Sequence, residues 1–342
     1  NGVLPLYTEA VYPAMRKHLK LKLYPVVSGG APRHLGHGAC TRVVQGSRTA
    51  GGAVRREVQR LRLQQGARAF AFSGAGDSWC DMLMTLRAQH DAGPAVFSME
   101  GPALGLDLAT ACSLYEAGCR AVDFRIPTGS QRLLEDFHGY PGGIGAAESC
   151  LHAARAAGMF VSVSLVYPCP KDDYHTAAET VRLLYRGAPH GVRMALPFIE
   201  PGSLWRQNPG QFGFRFSAAQ YARWLSAVDY APRWLDAPRP EKVLGMPAMN
   251  MPRIAAMRGE MLAQLSEFGV TPGVHACHGV LAHAAGEGER AAGYARAWEE
   301  ALFRFDVDAV TRYVEQFNAG AVSPERRYTL VPFDTALAAV AN

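Results

Sequence analysis

The sequence predicts an α/β fold in which parallel strands are covered by helices. Two observations carry that prediction. Between residues 20 and 200, six short apolar runs alternate with stretches of helical apolar spacing, as repeated strand-and-helix units do. Each joint from helix to strand also carries a glycine, Gly66, Gly118, Gly158 and Gly187, which suits a helix C-cap feeding the next strand. Units of this kind build a full or partial barrel or an open doubly wound sheet, with function at the C-terminal strand ends.

The runs are residues 23–27 (LYPVV), 67–72 (ARAFAF), 95–99 (AVFSM), 121–126 (AVDFRI), 160–166 (FVSVSLV) and 192–198 (VRMALPF). Helices are expected over 53–65, 106–116, 146–157 and 174–184, the last beginning after Asp172 and Asp173 as acidic N-caps. After Pro201 the character changes. Residues 201–214 and 231–251 are rich in Pro, Gly and aromatics, and helical patterns follow at 253–268 and 292–317. The expected organisation is therefore a lead-in over 1–19, a barrel over 20–203, and a mainly helical extension over 204–342 that packs on it. Because the chain opens on Asn1, the lead-in reads as a linker from, or remnant of, an upstream domain.

With 342 residues, 49% of them apolar, the chain can bury a large core. The net charge of +5 comes from scattered arginines with no aromatic-and-basic stripe, which argues against nucleic acid as the partner. Apolar runs stop well short of the roughly 18 residues a membrane span needs, and no charged-then-apolar leader opens the chain. Cys40, Cys80, Cys112, Cys119, Cys150, Cys169 and Cys277 are odd in number and far apart. They read as reduced thiols in a cytoplasmic protein.

The strand-end residues, taken in order, resemble the radical S-adenosylmethionine (SAM) superfamily, and within it the cobalamin-binding branch. The resemblance covers most of the chain and rests on an ordered set of short pieces. Residues 23–32 (LYPVVSGGAP) resemble that family's first strand and loop. Residues 72–77 (FSGAGD) resemble its glycine-rich loop, which contacts the methionine amino group of SAM. Residues 118–130 (GCRAVDFRIPTGS) resemble its fourth strand, and residues 198–203 (FIEPGS) the turn after its sixth. Residues 205–216 and 230–251 are similar to the branch's C-terminal extension. The fold implied is a radical-SAM-like partial (β/α)6 barrel.

One departure is as informative as the matches. The family's first loop carries Cys-x3-Cys-x2-Cys for a [4Fe–4S] cluster, and in the alignment implied here those positions fall on Ala31, Leu35 and Gly38. A cluster needs thiolates, so none is expected, and the mixture of three residue types reads as drift rather than as an engineered knock-out.

Several constellations remain to be weighed. His34, His37 and Cys40 have spacing that could hold zinc or iron, as could His275, Cys277 and His278 after an expected strand over 270–274. For both sets, ordinary loop or strand-end residues are the preferred reading. Residues 136–141 (DFHGYP) approach the D-x-H-x-x-G loop of some cobalamin proteins, which is read as coincidence. Ser73, Gly74, Gly76 and Asp77 have the small residues and carboxylate that suit a ligand loop. Asp123 and Arg125 alternate with Val122 and Phe124, so one set must face the barrel interior, where a charge needs a ligand or partner.

The resulting expectation is a cluster-less enzyme of specialised metabolism that binds SAM, with or without cobalamin, and transfers a group, most economically methyl, to a small-molecule substrate by polar chemistry. The cofactor would lie against Ser73, Gly74, Gly76, Asp77, Arg125, Glu200, Pro201 and Gly202. Arg125, Asp77, Glu100 and Tyr167 are the catalytic candidates. Two alternatives stand beside this reading: a catalytically silent partner subunit of an active radical SAM enzyme, in a hetero- or homo-oligomer, and a metal-dependent lyase or hydrolase on the His/Cys sets.

Overall fold

Seven strands pair in parallel into one sheet whose order follows the chain. They are β3 (Thr41–Gln45), β4 (Ala69–Ser73), β5 (Val96–Pro102), β6 (Cys119–Arg125), β7 (Phe160–Val166), β8 (Gly191–Ala195) and the two-residue β9 (Thr271–Pro272). Before them, β1 (Tyr24–Val26) and β2 (Arg33–His37) form a separate antiparallel pair. In this computed structural model the described residues are 24–26, 33–37, 41–45, 59, 69–73, 79, 96–140, 142–197, 199, 203–222, 246, 249–274, 276–284, 286–304, 306, 308–309, 312–313 and 316. The helices are α1 (Leu108–Glu116), α2 (Gln131–Asp136), α3 (Ile144–Ala156), α4 (Tyr174–Gly187), α5 (Leu204–Gln207), α6 (Met251–Glu267), α7 (Ala276–Ala284) and α8 (Ala291–Phe303). No described helix is long and apolar enough to cross a membrane.

Parallel strands joined by crossover helices are the α/β partial barrel that the resemblance implies. Its first strand is not the expected one. The run at 23–27 lies in β1, which pairs Tyr24 with His37 and Val26 with Arg33. Two glycines and a proline favour chain reversal, and here the segment between β1 and β2 joins an antiparallel pair instead of leading from a parallel strand to a helix. The first parallel strand is β3, opposite β4 from Thr41↔Ala69 to Gln45↔Ser73.

Side-chain caps start several of the helices. Asp107 accepts the Thr110 N–H at 2.7 Å and starts α1. Asp173 and Thr176 form a reciprocal capping box at the start of α4. At the end of α4 the left-handed residue is Ala188, with φ of 41°, and not the expected Gly187. Gly187 serves packing instead, since a Cβ there would sit 2.3 Å from Leu151. The helix expected over 292–317 stops at Phe303, because Asp306 accepts the Ala309 N–H at 2.9 Å and caps a new turn.

Two-residue alternation divides the sheet into unlike faces. Phe97, Met99, Val122, Phe124, Val161, Val163, Leu165, Val192 and Met194 are buried in one core with residues of α1, α3, α4 and α6. The opposite face carries Ser98, Glu100, Asp123, Arg125, Ser162, Ser164 and Arg193 on the alternate positions of the same strands. Residues beyond 204 also enter the barrel. β9 extends the sheet beside β8, and α7 lies across β4, β5, β6 and β7. Its Gly279 is backed so closely onto Phe160 that a Cβ would fall 2.4 Å from the ring.

Candidate functional site

The polar face of the sheet concentrates charge toward its C-terminal ends. Register places Glu100 beside Asp123, Asp123 beside Ser162, and Ser164 between Arg125 and Arg193. Asp123 is buried, and both its oxygens are occupied: Oδ1 accepts the Ser162 hydroxyl at 2.5 Å and Oδ2 the Ser164 hydroxyl at 2.6 Å. Arg193 Nη2 donates to the same Ser164 hydroxyl at 3.2 Å. Burying a carboxylate is costly unless hydrogen bonds and opposite charge offset it, and this belt supplies both.

Glu100 and Arg125 stand above Asp123, with Oε1 and Nε 3.9 Å apart and side chains 32% and 51% exposed. Burial, then the Asp123 carboxylate, raises the Glu100 carboxyl above its ordinary range, while Arg193 and Arg125 pull it down. A carboxylate and a guanidinium this close, both partly open, suit a ligand that carries an ammonium and a carboxylate on one carbon. Asp123 and its serines fix the strands beneath the pair.

The other sequence candidates are distributed around this belt. Ser73 ends β4, and Trp79 donates to the Leu104 carbonyl at 3.0 Å and packs edge-on against Phe124. Gly74, Gly76 and Asp77 lie outside the described residues. So do Glu200, Pro201 and Gly202, which are bracketed by Ile199, whose carbonyl accepts the Tyr221 hydroxyl at 3.0 Å, and by Ser203, the N-cap of α5. Tyr167 does not join Glu100 and Arg125. It is buried in the helix-covered core, its carbonyl accepts from Arg258 at 3.2 Å, and burial, then Asp172 and Glu260, pushes its phenol far up.

His34, Leu35 and His37 belong to β2, so they lie on a strand and not on the expected loop. Ala31, Gly38, Cys40 and His275 lie outside the described residues. Cys277 and His278 fall in the first turn of α7 and not beyond a strand over 270–274, which shortens to Thr271–Pro272. The helix begins there because the chain turns back across the barrel, and His278 is buried.

Three groups that the resemblance implies can be tested against these residues. For the cluster, among the described residues no group of three or more His, Cys, Asp or Glu side chains could hold a metal ion, and Cys40 and Cys80 lie outside them. Cys119, Cys150 and Cys169 are buried on separate elements, and burial pushes the Cys119 thiol up to about 12. The described residues do not fit cobalamin ligation through His138 either, because its imidazole is enclosed by Phe137 and Trp205, 3.9 Å from Cys169, and burial draws it down to about 4. The amino-acid end of SAM would need a carboxylate and a guanidinium side by side, and Glu100 and Arg125 present that pair of charges.

Past β7, Asp172 accepts the Cys169 N–H at 2.6 Å and the Thr176 hydroxyl at 3.0 Å, and burial raises its carboxyl to about 6. The raised value means the folded state holds this proton more tightly than the unfolded chain. Stability is therefore fullest below about pH 4 and falls as pH rises to about 6, by about 3 kcal/mol from this group. Asp172→Asn, which keeps an acceptor for the Cys169 N–H, is expected to abolish that fall in denaturant titrations across the interval.

No protein-family model matches the chain, and no curated protein matches it. Solved structures do. The chain is similar to the radical SAM methyltransferase TsrM from Kitasatospora setae with tryptophan and a SAM analogue bound, at 13% identity over 75% of this chain and 57% of that one, with a TM-score of 0.48. It is similar to the coproporphyrinogen III oxidase HemN from Escherichia coli at 15% identity over 67% and 49%, with a TM-score of 0.42. Both are radical SAM enzymes. The chain spans about half the length of these two structures.

Sequence reasoning singled out Glu100, Asp123 and Arg125 and passed over Ser162, Ser164 and Arg193, which register places beside them. The signal was present, as serines at alternate positions of an otherwise aliphatic strand (FVSVSLV).

Proposed function

We propose that the chain is a SAM-dependent transferase that works without a cluster and moves the methyl group by polar displacement. The observation that carries this reading is the Glu100–Arg125 pair seated on the Asp123–Ser162–Ser164 belt at the C-terminal strand ends. Glu100 would take the ammonium of the methionine moiety and Arg125 its carboxylate. Held this way, the sulfonium presents its methyl carbon to a small-molecule nucleophile. The carbon forms a bond to that nucleophile, sulfur keeps the electron pair of the broken bond, and the nucleophile's proton leaves to solvent. Catalysis is then proximity and electrostatics.

Titrating the protein with SAM and with S-adenosylhomocysteine while following its melting is expected to raise the midpoint with both. Supplied with a metabolite extract and no reductant, the protein is expected to convert SAM into S-adenosylhomocysteine and no 5′-deoxyadenosine. A flat melting response, together with recovery of a cluster-containing partner on purification, would instead support a silent subunit.

A further inference from the structure

At the opposite end of the barrel, a cavity of about 450 Å3 opens where the strands begin. Arg155 from the end of α3, Phe160 from the start of β7, His190 just before β8, His283 from the end of α7, Arg290 from the 3-10 turn after it, and Gly293 from the first turn of α8 all line it. We infer that this cavity is a second ligand site, separate from the strand-end belt, for a small phosphomonoester with a flat or apolar body.

The chemistry of the wall carries the inference. Two guanidinium groups and two imidazoles reach one space from four separate segments, an arrangement suited to an oxyanion with several acceptors. His190 adds a fixed donor. Its Nδ1 accepts the Val161 N–H at 2.9 Å, and burial draws the ring down to about 4, so near neutral pH the single proton sits on Nε2. His283 is drawn down to about 4 by burial and then by Arg120, and is likewise a neutral ring. Arg290 is held by Glu287 at 2.9 Å with its side chain 81% exposed, so it stands at the rim, and Arg155 donates to the Ala188 carbonyl. An apolar floor lies between them, where Phe160 and His190 stack with ring centroids 4.9 Å apart. The space far exceeds what inorganic phosphate fills, so the remainder takes the ester's body.

The test is equilibrium binding of phenyl phosphate to the full chain, with benzoate as the carboxylate of the same body. Gly293 is exposed and nothing lies within 4 Å of a Cβ built there, so Gly293→Glu brings a carboxylate to the wall without crowding it. Phenyl phosphate is expected to saturate one site, to be weakened at least about tenfold by Gly293→Glu and by Arg155→Gln, to be unaffected by Gly293→Ala, and to persist in excess SAM. No saturation, equal binding of benzoate, displacement by SAM, or undiminished binding to Gly293→Glu would each overturn the assignment.

Discussion

Glu100→Gln and Arg125→Gln are each expected to weaken SAM binding about 10- to 100-fold while leaving the melting midpoint almost unchanged. A hydrogen bond to a charged group is worth about 1.5–3 kcal/mol, and each 1.4 kcal/mol is a factor of ten in affinity. Between themselves the two side chains are partly exposed and 3.9 Å apart, so their mutual attraction contributes only about 0–1 kcal/mol to folding. Affinity and stability should therefore separate in these variants. Burial first and Asp123 second raise the Glu100 carboxyl, and its ionised form is the one that attracts an ammonium. Wild-type affinity should accordingly strengthen as pH rises through that raised value and then level off. Glu100→Gln should lose this dependence, whereas Arg125→Gln should keep it.

The largest loss of stability is expected from Gly279→Val, about 3 kcal/mol. A Cβ at 279 meets three carbons of Phe160 at 2.4 to 2.6 Å. The ring cannot retreat, because its other neighbour is the stacked His190 imidazole, itself pinned by the Val161 N–H. The clash must then push α7 off the sheet. Denaturant unfolding of Gly279→Val alone and combined with Phe160→Leu checks this, with partial rescue in the double variant expected from relief of the shared contact.

Much of the barrel was legible because its strands are strongly patterned. The runs at 121–126 and 160–166 alternate aliphatic with small or charged residues, and the structure places strands at Cys119–Arg125 and Phe160–Val166. Likewise, Asp172 and Asp173 were read as acidic N-caps, and Asp173 caps a true helix start. The first strand was misplaced because LYPVV reads as a short strand and TRVVQ was not among the expected runs, and only pairing distinguishes an antiparallel partner from a member of the parallel sheet. At the tail of the sheet the strand expected over 270–274 is present but shortened to Thr271–Pro272, and α7 finds its place through long-range contact with Phe160, which no local spacing encodes.

For the site, charge on a strand was the useful signal, since it singled out Asp123 and Arg125. Their serine partners were overlooked because a hydroxyl on a strand carries no charge to mark it. Tyr167 misled for a related reason: a polar-tipped residue at a strand end can equally turn into the core, and cross-strand packing decided it.

Calorimetric titration of the wild-type protein and of Glu100→Gln with SAM tests the central claim most directly. The account predicts one saturable site per chain, weakened at least about tenfold in the variant. Absence of saturable heat up to millimolar SAM, or equal affinity in the two proteins, would contradict it.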